Sequence, residues 1–196
     1  MENVKNIIMY QATTRDYKIG DILEFGKDRN YQATRVYNTN YRMPDGSMAE
    51  MFLTDKIKKK KKLKIEEMKI IRDILLNYGF TMRELGIEIC RQQNYNEEPS
   101  RLKGMFLCDN VDDAKAYLTT AKSKGGENKP KVVGLKLNGK ILKTSNAFNS
   151  RDGKSIDEFV EQAHAYWKGI DDTFEDKKSI EYVFEGIAEV VEIIEE

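Results

Sequence analysis

Histidine occurs once, at His164, and cysteine only twice, at Cys90 and Cys108, in a chain of 196 residues. One histidine excludes a multi-histidine metal site and any Ser-His-Asp triad that does not use His164. Two thiols without histidine partners do not make a zinc site, and the composition is not that of a disulfide scaffold. No apolar run reaches the roughly 18 residues of a transmembrane helix. The opening residues, MENVKNIIMY, lack the basic and long apolar regions of a signal peptide. Neither sign of charge is in excess, since 33 Lys and Arg balance 33 Asp and Glu. At the level of the whole chain nothing demands nucleic acid or anionic lipid as a partner. The expectation is a cytoplasmic protein with no membrane partner.

Charged residues make up 34% of the chain and apolar residues 40%. The length suits a single domain over 1–196 with a real core, carrying a basic and helical insertion at about 48–96. Val4 to Thr13 reads as a strand, and Ile19 to Leu23 as a short extended piece. Residues 31–47 read as an irregular surface segment around the turn Pro44-Asp45-Gly46. Ile65, Met68, Ile71, Leu75 and Tyr78 recur at helical spacing, with Gly79 as a stop. A second helix is expected from Thr81 to Arg91. Lys131 to Leu137 alternates as a strand, Asn138-Gly139 is a hairpin signal, and Lys140 to Lys143 continues as strand. Asp152-Gly153-Lys154 lacks the preceding acidic ligands of a calcium loop, so calcium is not expected. Ser155 caps a helix over 156–168, whose stripe is Phe159, Val160, Ala163 and Trp167. His164 lies beside that stripe and reads as a structural residue. Ile180 to Phe184 and Ile187 to Ile194 read as two last strands, separated by Glu185-Gly186. Strands early and late with helices between predict an α+β fold.

The stretch Gly104 to Leu118, GMFLCDNVDDAKAYL, reads as a strand, an Asp109-Asn110 cap and a helix. Such a unit holds backbone N–H groups and side chains at one rim, where small ligands bind. Two other stretches stand near the chain ends, Met9-Tyr10-Gln11-Ala12-Thr13-Thr14 and Glu181-Tyr182-Val183-Phe184.

In order and spacing these three resemble the motifs of ADP-ribosyltransferases of the diphtheria-toxin, poly(ADP-ribose) polymerase and rifampin ADP-ribosyltransferase branch. The first is similar to its "Tyr/Trp-His-Gly-Thr/Ser" strand. The second, with Ala114 and Tyr117 following, is similar to "Gly-Ile-Tyr-Phe-Ala-Asp" and its helix. The third is similar to "Glu-Tyr-Ile-Val-Tyr", which carries the catalytic glutamate. The resemblance implies split antiparallel β-sheets with helices inserted between the early and late strands, and NAD as substrate in the cleft. It implies a transferase that breaks the nicotinamide–ribose bond and passes ADP-ribose to an acceptor, most simply once per acceptor. On that correspondence Glu181 and Gln11 are catalytic, and Gln11, Ala12, Thr13, Phe106 and Tyr117 bind NAD.

The His-Tyr-Glu triad of the branch becomes Gln11, Phe106 and Glu181. An amide still donates and accepts hydrogen bonds. Phenylalanine keeps the stacking ring without its hydroxyl. A lost polar contact of that kind costs about two to three decades in rate. A catalytically weak or inactive module that binds NAD, ADP-ribose or a macromolecule is therefore the alternative. Each residue also has a plain reading, with Phe106 in the core, Glu181 facing solvent and Gln11 an ordinary strand amide. The block Lys56 to Lys64 is either a solvated connection or a phosphate-binding patch for nucleic acid, although aromatic residues are not interleaved in it.

Overall fold

A computed structural model describes residues 2–38, 41–123, 128–149, 155–176 and 179–195. Among these residues the fold is α+β, with five strands in one antiparallel sheet. β1 (Glu2–Thr13), β2 (Ile22–Phe25), β3 (Met105–Leu107), β4 (Lys131–Ser145) and β5 (Ile180–Ile194) are arranged β1-β4-β5-β2, with β3 also on β5. Two backbone hydrogen bonds of 2.9 Å between Tyr10 and Cys108 then join β1 to the end of β3. The path β1–β4–β5–β3 thus closes on itself. Its inner face holds Met9, Leu107, Leu135, Leu137, Phe184 and Val190, all buried. Each large side chain removed from water there stabilises the fold by about 1.5–3 kcal/mol.

α1 (Tyr31–Asn38), α2 (Ala49–Lys58) and α3 (Ile65–Asn94) fall between β2 and β3. α4 (Val111–Ala116) and α5 (Leu118–Ser123) follow β3, and α6 (Ile156–Lys168) precedes β5. α4, α5, α6 and the C-terminal half of α3 cover the outer face, while α1, α2 and the first half of α3 pack on one another away from it. Ala114 and Leu118 pack on Val132 with Tyr10 and Ala12, while Ile87, Ala163, Tyr166 and Trp167 pack on Leu142 and Val183. The Trp167 indole N–H donates to the Ile87 carbonyl at 2.8 Å. α6 begins and ends as its sequence predicts. Ser155 Oγ accepts from the Glu158 N–H, Glu158 Oε2 accepts from the Ser155 N–H, and Gly169 has φ +75°.

Three glycine signals behave differently from expectation. Gly79 does not stop a helix, and α3 runs unbroken for 30 residues, about 45 Å. A helical glycine costs about 1 kcal/mol, less than the burial of Ile74, Phe80 and Ile87 on either side of it returns. Asn138-Gly139 makes no hairpin, and Glu185-Gly186 does not divide β5. The two glycines face each other in register within continuous strands. A Cβ on Gly139 would lie 2.2 Å from the Glu185 carbonyl oxygen, and one on Gly186 would lie 2.4 Å from that of Asn138. Glycine is used there for close approach of two backbones, not for turning. Residues 31–38 are helical, not irregular, while the Pro44-Asp45-Gly46 turn forms within the bridge between Arg42 and Met48. Residues 152–154, where calcium was not expected, lie outside the described residues.

Candidate functional site

The site grows out of one buried arginine. Arg101 lies in the connection between α3 and β3 and is 2% exposed. Its Nε donates to Glu84 Oε2 at 3.0 Å, and its Nη1 donates to the Tyr166 hydroxyl at 2.5 Å and to Glu181 Oε1. The Tyr166 hydroxyl in turn donates to Glu181 Oε1 at 2.5 Å. Arg83 Nη2 reaches Glu84 Oε1 at 2.7 Å. The cluster therefore has two arginines, two glutamates and one hydroxyl between them. The guanidinium of Arg101 also lies over the rings of Phe106, at 5.0 Å, and Tyr166, at 4.8 Å.

Burial disfavours the Arg101 charge, but the Glu181 and Glu84 carboxylates outweigh it and hold its pKa well above the usual arginine value. Burial likewise opposes ionisation of Glu84, and Arg101 and Arg83 prevail, keeping it below the ordinary carboxylate value. Tyr166 is held neutral by burial and by the Glu181 charge. The two glutamates differ in exposure. Glu84 is fully buried with both oxygens bonded. The Glu181 side chain is 16% exposed, both of its bonds fall on Oε1, and Oε2 makes no hydrogen bond among the described residues.

A cleft of about 400 Å³ opens where β3, α4 and the start of β5 meet. Cys108, Asp109 and Asn110 line one side, Asp113 and Tyr117 a second, and Ile180 and Tyr182 a third. Asn110 caps α4, its Oδ1 accepting from the Asp113 N–H at 2.8 Å. Its Nδ2 donates to Asp113 Oδ2 at 2.7 Å, which fixes the acidic wall. The Tyr182 hydroxyl donates to Asp109 Oδ2 at 3.1 Å. Burial, then Asp113 and Asp109, push the Cys108 thiol up to about 11, so it is protonated and a poor nucleophile at neutral pH. Burial, then Cys108, Glu181 and Asp113, raise the Tyr117 phenol. The Glu181 charge thus reaches Tyr117, which is 46% exposed.

The expected site residues are not all brought together. Glu181 and Phe106 share the outer face, where Glu181 is in register with Thr144 and Phe106 with Val183. Tyr117 lines the cleft beside β3, whereas Glu181 is not among the residues that line it. Gln11 is on the inner face, in register with Val133, with Nε2 donating to Met105 Sδ and Oε1 buried without a partner. Ala12 packs beneath α4 and α5. Thr13 is buried, and its Oγ1 accepts from the Arg15 N–H at 3.1 Å, finishing the strand. The Phe106 ring is covered by Arg101. His164 Nδ1 lies 3.1 Å from the Tyr95 hydroxyl and 3.7 Å from Cys90 Sγ, a structural setting. Among the described residues no group of three His, Cys, Asp or Glu side chains is arranged to hold a metal ion.

The arginine cluster escaped the sequence reading. Glu84 and Glu88 occupy positions of α3 that share its buried face with Phe80 and Ile87. Charged residues in the apolar phase of a helix are the signal that a buried cation must answer them. Tyr166 lies three residues after Ala163 on the α6 stripe, which reads as ordinary core until Arg101 is placed beside it.

No helix among the described residues is long and apolar enough to cross a membrane. No curated protein matches the chain. The family described as protein of unknown function DUF2441 matches residues 9–196, and the chain belongs to that family.

Proposed function

We propose that the protein is an ADP-ribosyltransferase-like domain, its antiparallel sheet a closed variant of that fold's split sheet. Its substrate is NAD. It breaks the nicotinamide–ribose bond and transfers one ADP-ribose to a protein, nucleic acid or small-molecule acceptor. The observation that carries the reading is the state of Glu181. One carboxylate oxygen is held by Arg101 and Tyr166. The other is left to accept a hydrogen bond, at the start of β5 and within electrostatic reach of Tyr117.

The residues fit the ligand's chemistry in part. The nicotinamide ring of NAD is a cation, and a cleft walled by Asp109, Asp113 and a half-exposed tyrosine suits a flat cation. Glu181 Oε2 would accept from a ribose hydroxyl, and its charge would favour the positive charge that builds on the ribose as the bond breaks. The bonding electrons leave with nicotinamide, and the acceptor attacks the ribose carbon and loses its proton. Gln11, on the inner face, takes no part unless the cleft rearranges. A second reading, binding of NAD or ADP-ribose without turnover, is favoured by Arg101, which already offsets the Glu181 charge.

The test is incubation of the purified protein with NAD, following nicotinamide by chromatography, beside Glu181→Gln. Release by the wild type, reduced at least a hundredfold in the variant, supports transfer. No release, with NAD still raising the melting temperature, supports the binding reading. Neither release nor a thermal shift contradicts both.

A further inference from the structure

We infer that the helical lobe between β2 and β3 binds single-stranded nucleic acid. From 27 to 78 the chain carries thirteen Lys and Arg against seven Asp and Glu, so the lobe is at +6 and the rest of the neutral chain at −6. The zero net charge conceals a dipolar molecule. Charge separation on this scale points to a polyanionic partner at one end.

Most of the excess stands in the turn that joins α2 to α3. Lys56 and Lys59 are answered by Glu67, at 2.8 Å, and Asp55, at 2.7 Å. Lys58, Lys60, Lys61 and Lys62 are exposed and make no ion pair among the described residues. In sequence this run lacks the aromatic residues on which bases stack. The fold supplies them from elsewhere. α1 packs on α3 through Arg35, whose Nη2 donates to Asn77 Oδ1 at 2.9 Å, and the Tyr41 and Thr81 hydroxyls are hydrogen-bonded. Tyr31, Tyr37 and Tyr78 remain 48%, 50% and 41% exposed. Arg29 lies over one face of the Tyr37 ring at 3.9 Å, and Tyr78 stacks on Tyr41 at 4.3 Å, so each ring is held in place by a contact on one face. Along α3 the distance from Lys64 to Tyr78 is about 21 Å, the reach of a few nucleotides.

A shallow, open groove of about 500 Å³ on the same lobe is lined by Leu53, Leu63, Met68, Ile71, Leu75 and Leu76, together with Arg72, residues that fall in α2 or between Lys62 and Tyr78 along the chain. Its apolar floor suits the faces of unstacked bases, and the lysines suit the phosphates that connect them. A base-paired duplex keeps its ring faces internal and has no use for the groove or the tyrosines.

The test is fluorescence anisotropy with a labelled oligouridine of roughly 12 nucleotides, across a salt series. The expected result is binding whose logarithm falls with the logarithm of salt with a slope near −3, about 0.7 for each of four phosphates. Changing Lys58, Lys60, Lys61 and Lys62 together to Gln should remove most of that slope. Tyr37→Ala should weaken binding about tenfold while leaving the slope unchanged. Binding absent at about 20 mM salt, binding indifferent to the lysine changes, or equal binding to a duplex of the same length or to phosphatidylserine vesicles would each overturn the inference. All these side chains are exposed, and unchanged melting temperatures would show that the variants fold.

Discussion

The two faces of the sheet treat their polar side chains differently. On the inner face Gln11 stands among apolar neighbours, with a methionine sulfur for its amide and nothing for its carbonyl oxygen. On the outer face Glu84, Arg101, Tyr166 and Glu181 answer one another, and only Glu181 keeps an oxygen unused. Burying a polar group without a partner costs about 1–3 kcal/mol, and breaking a buried ion cluster costs more. The inner face tolerates a small misfit in a filled core. The outer face maintains a charged cluster with one partly exposed carboxylate.

The contrast can be broken hardest at Arg101. Arg101→Met leaves Glu84 and Glu181 without their shared cation and should cost about 3–5 kcal/mol, about 10 °C or more in melting temperature. Loss of only a degree or two would mean the cluster is not holding the outer face. Acid should act in the same direction. The Glu84 carboxyl is held below its ordinary value near 4.5, so its contribution is complete above that pH and is lost as pH falls through the lower folded value. Glu185, raised by burial, contributes with the opposite sign just above 4.5. Urea midpoints should therefore fall steeply below pH 4.5 in the wild type and much less in Arg101→Met. Tyr166→Phe removes one bridging hydroxyl and should cost about 1–3 kcal/mol, measured by the same denaturation. Gln11→Leu is the mildest. If the inner face is simple filling, it should be neutral or stabilise by up to about 1 kcal/mol, with nicotinamide release unchanged. A clear loss of release would return Gln11 to the catalytic role its motif suggests.

Much of the fold was legible in the sequence. β1, the strand–cap–helix unit at 105–116 and the capped helix α6 follow from alternation, an Asx cap and a capping box. The errors share a cause. Gly79, Gly139 and Gly186 carry local turn signals, but neighbouring burial and strand pairing decide what those glycines do. For the candidate site, the motif order singles out Glu181, Phe106 and Tyr117 in the sequence, and the structure adds which side chains surround them. The rest was not legible. Arg101 meets Glu84, Tyr166 and Glu181 across separations of 17, 65 and 80 residues, which no local pattern encodes. The face on which Gln11 points depends on register with β4, where a shift of one residue reverses every side chain.

The proposed function requires Tyr117 and Glu181 to meet one bound NAD. Calorimetric titration of NAD into the wild type and into Tyr117→Ala tests it most directly, because the Tyr117 ring is half exposed and its removal should leave the fold intact. The account predicts measurable binding that weakens about tenfold in the variant, the worth of one stacked ring. Equal affinity in both proteins, or no heat from either, would contradict it.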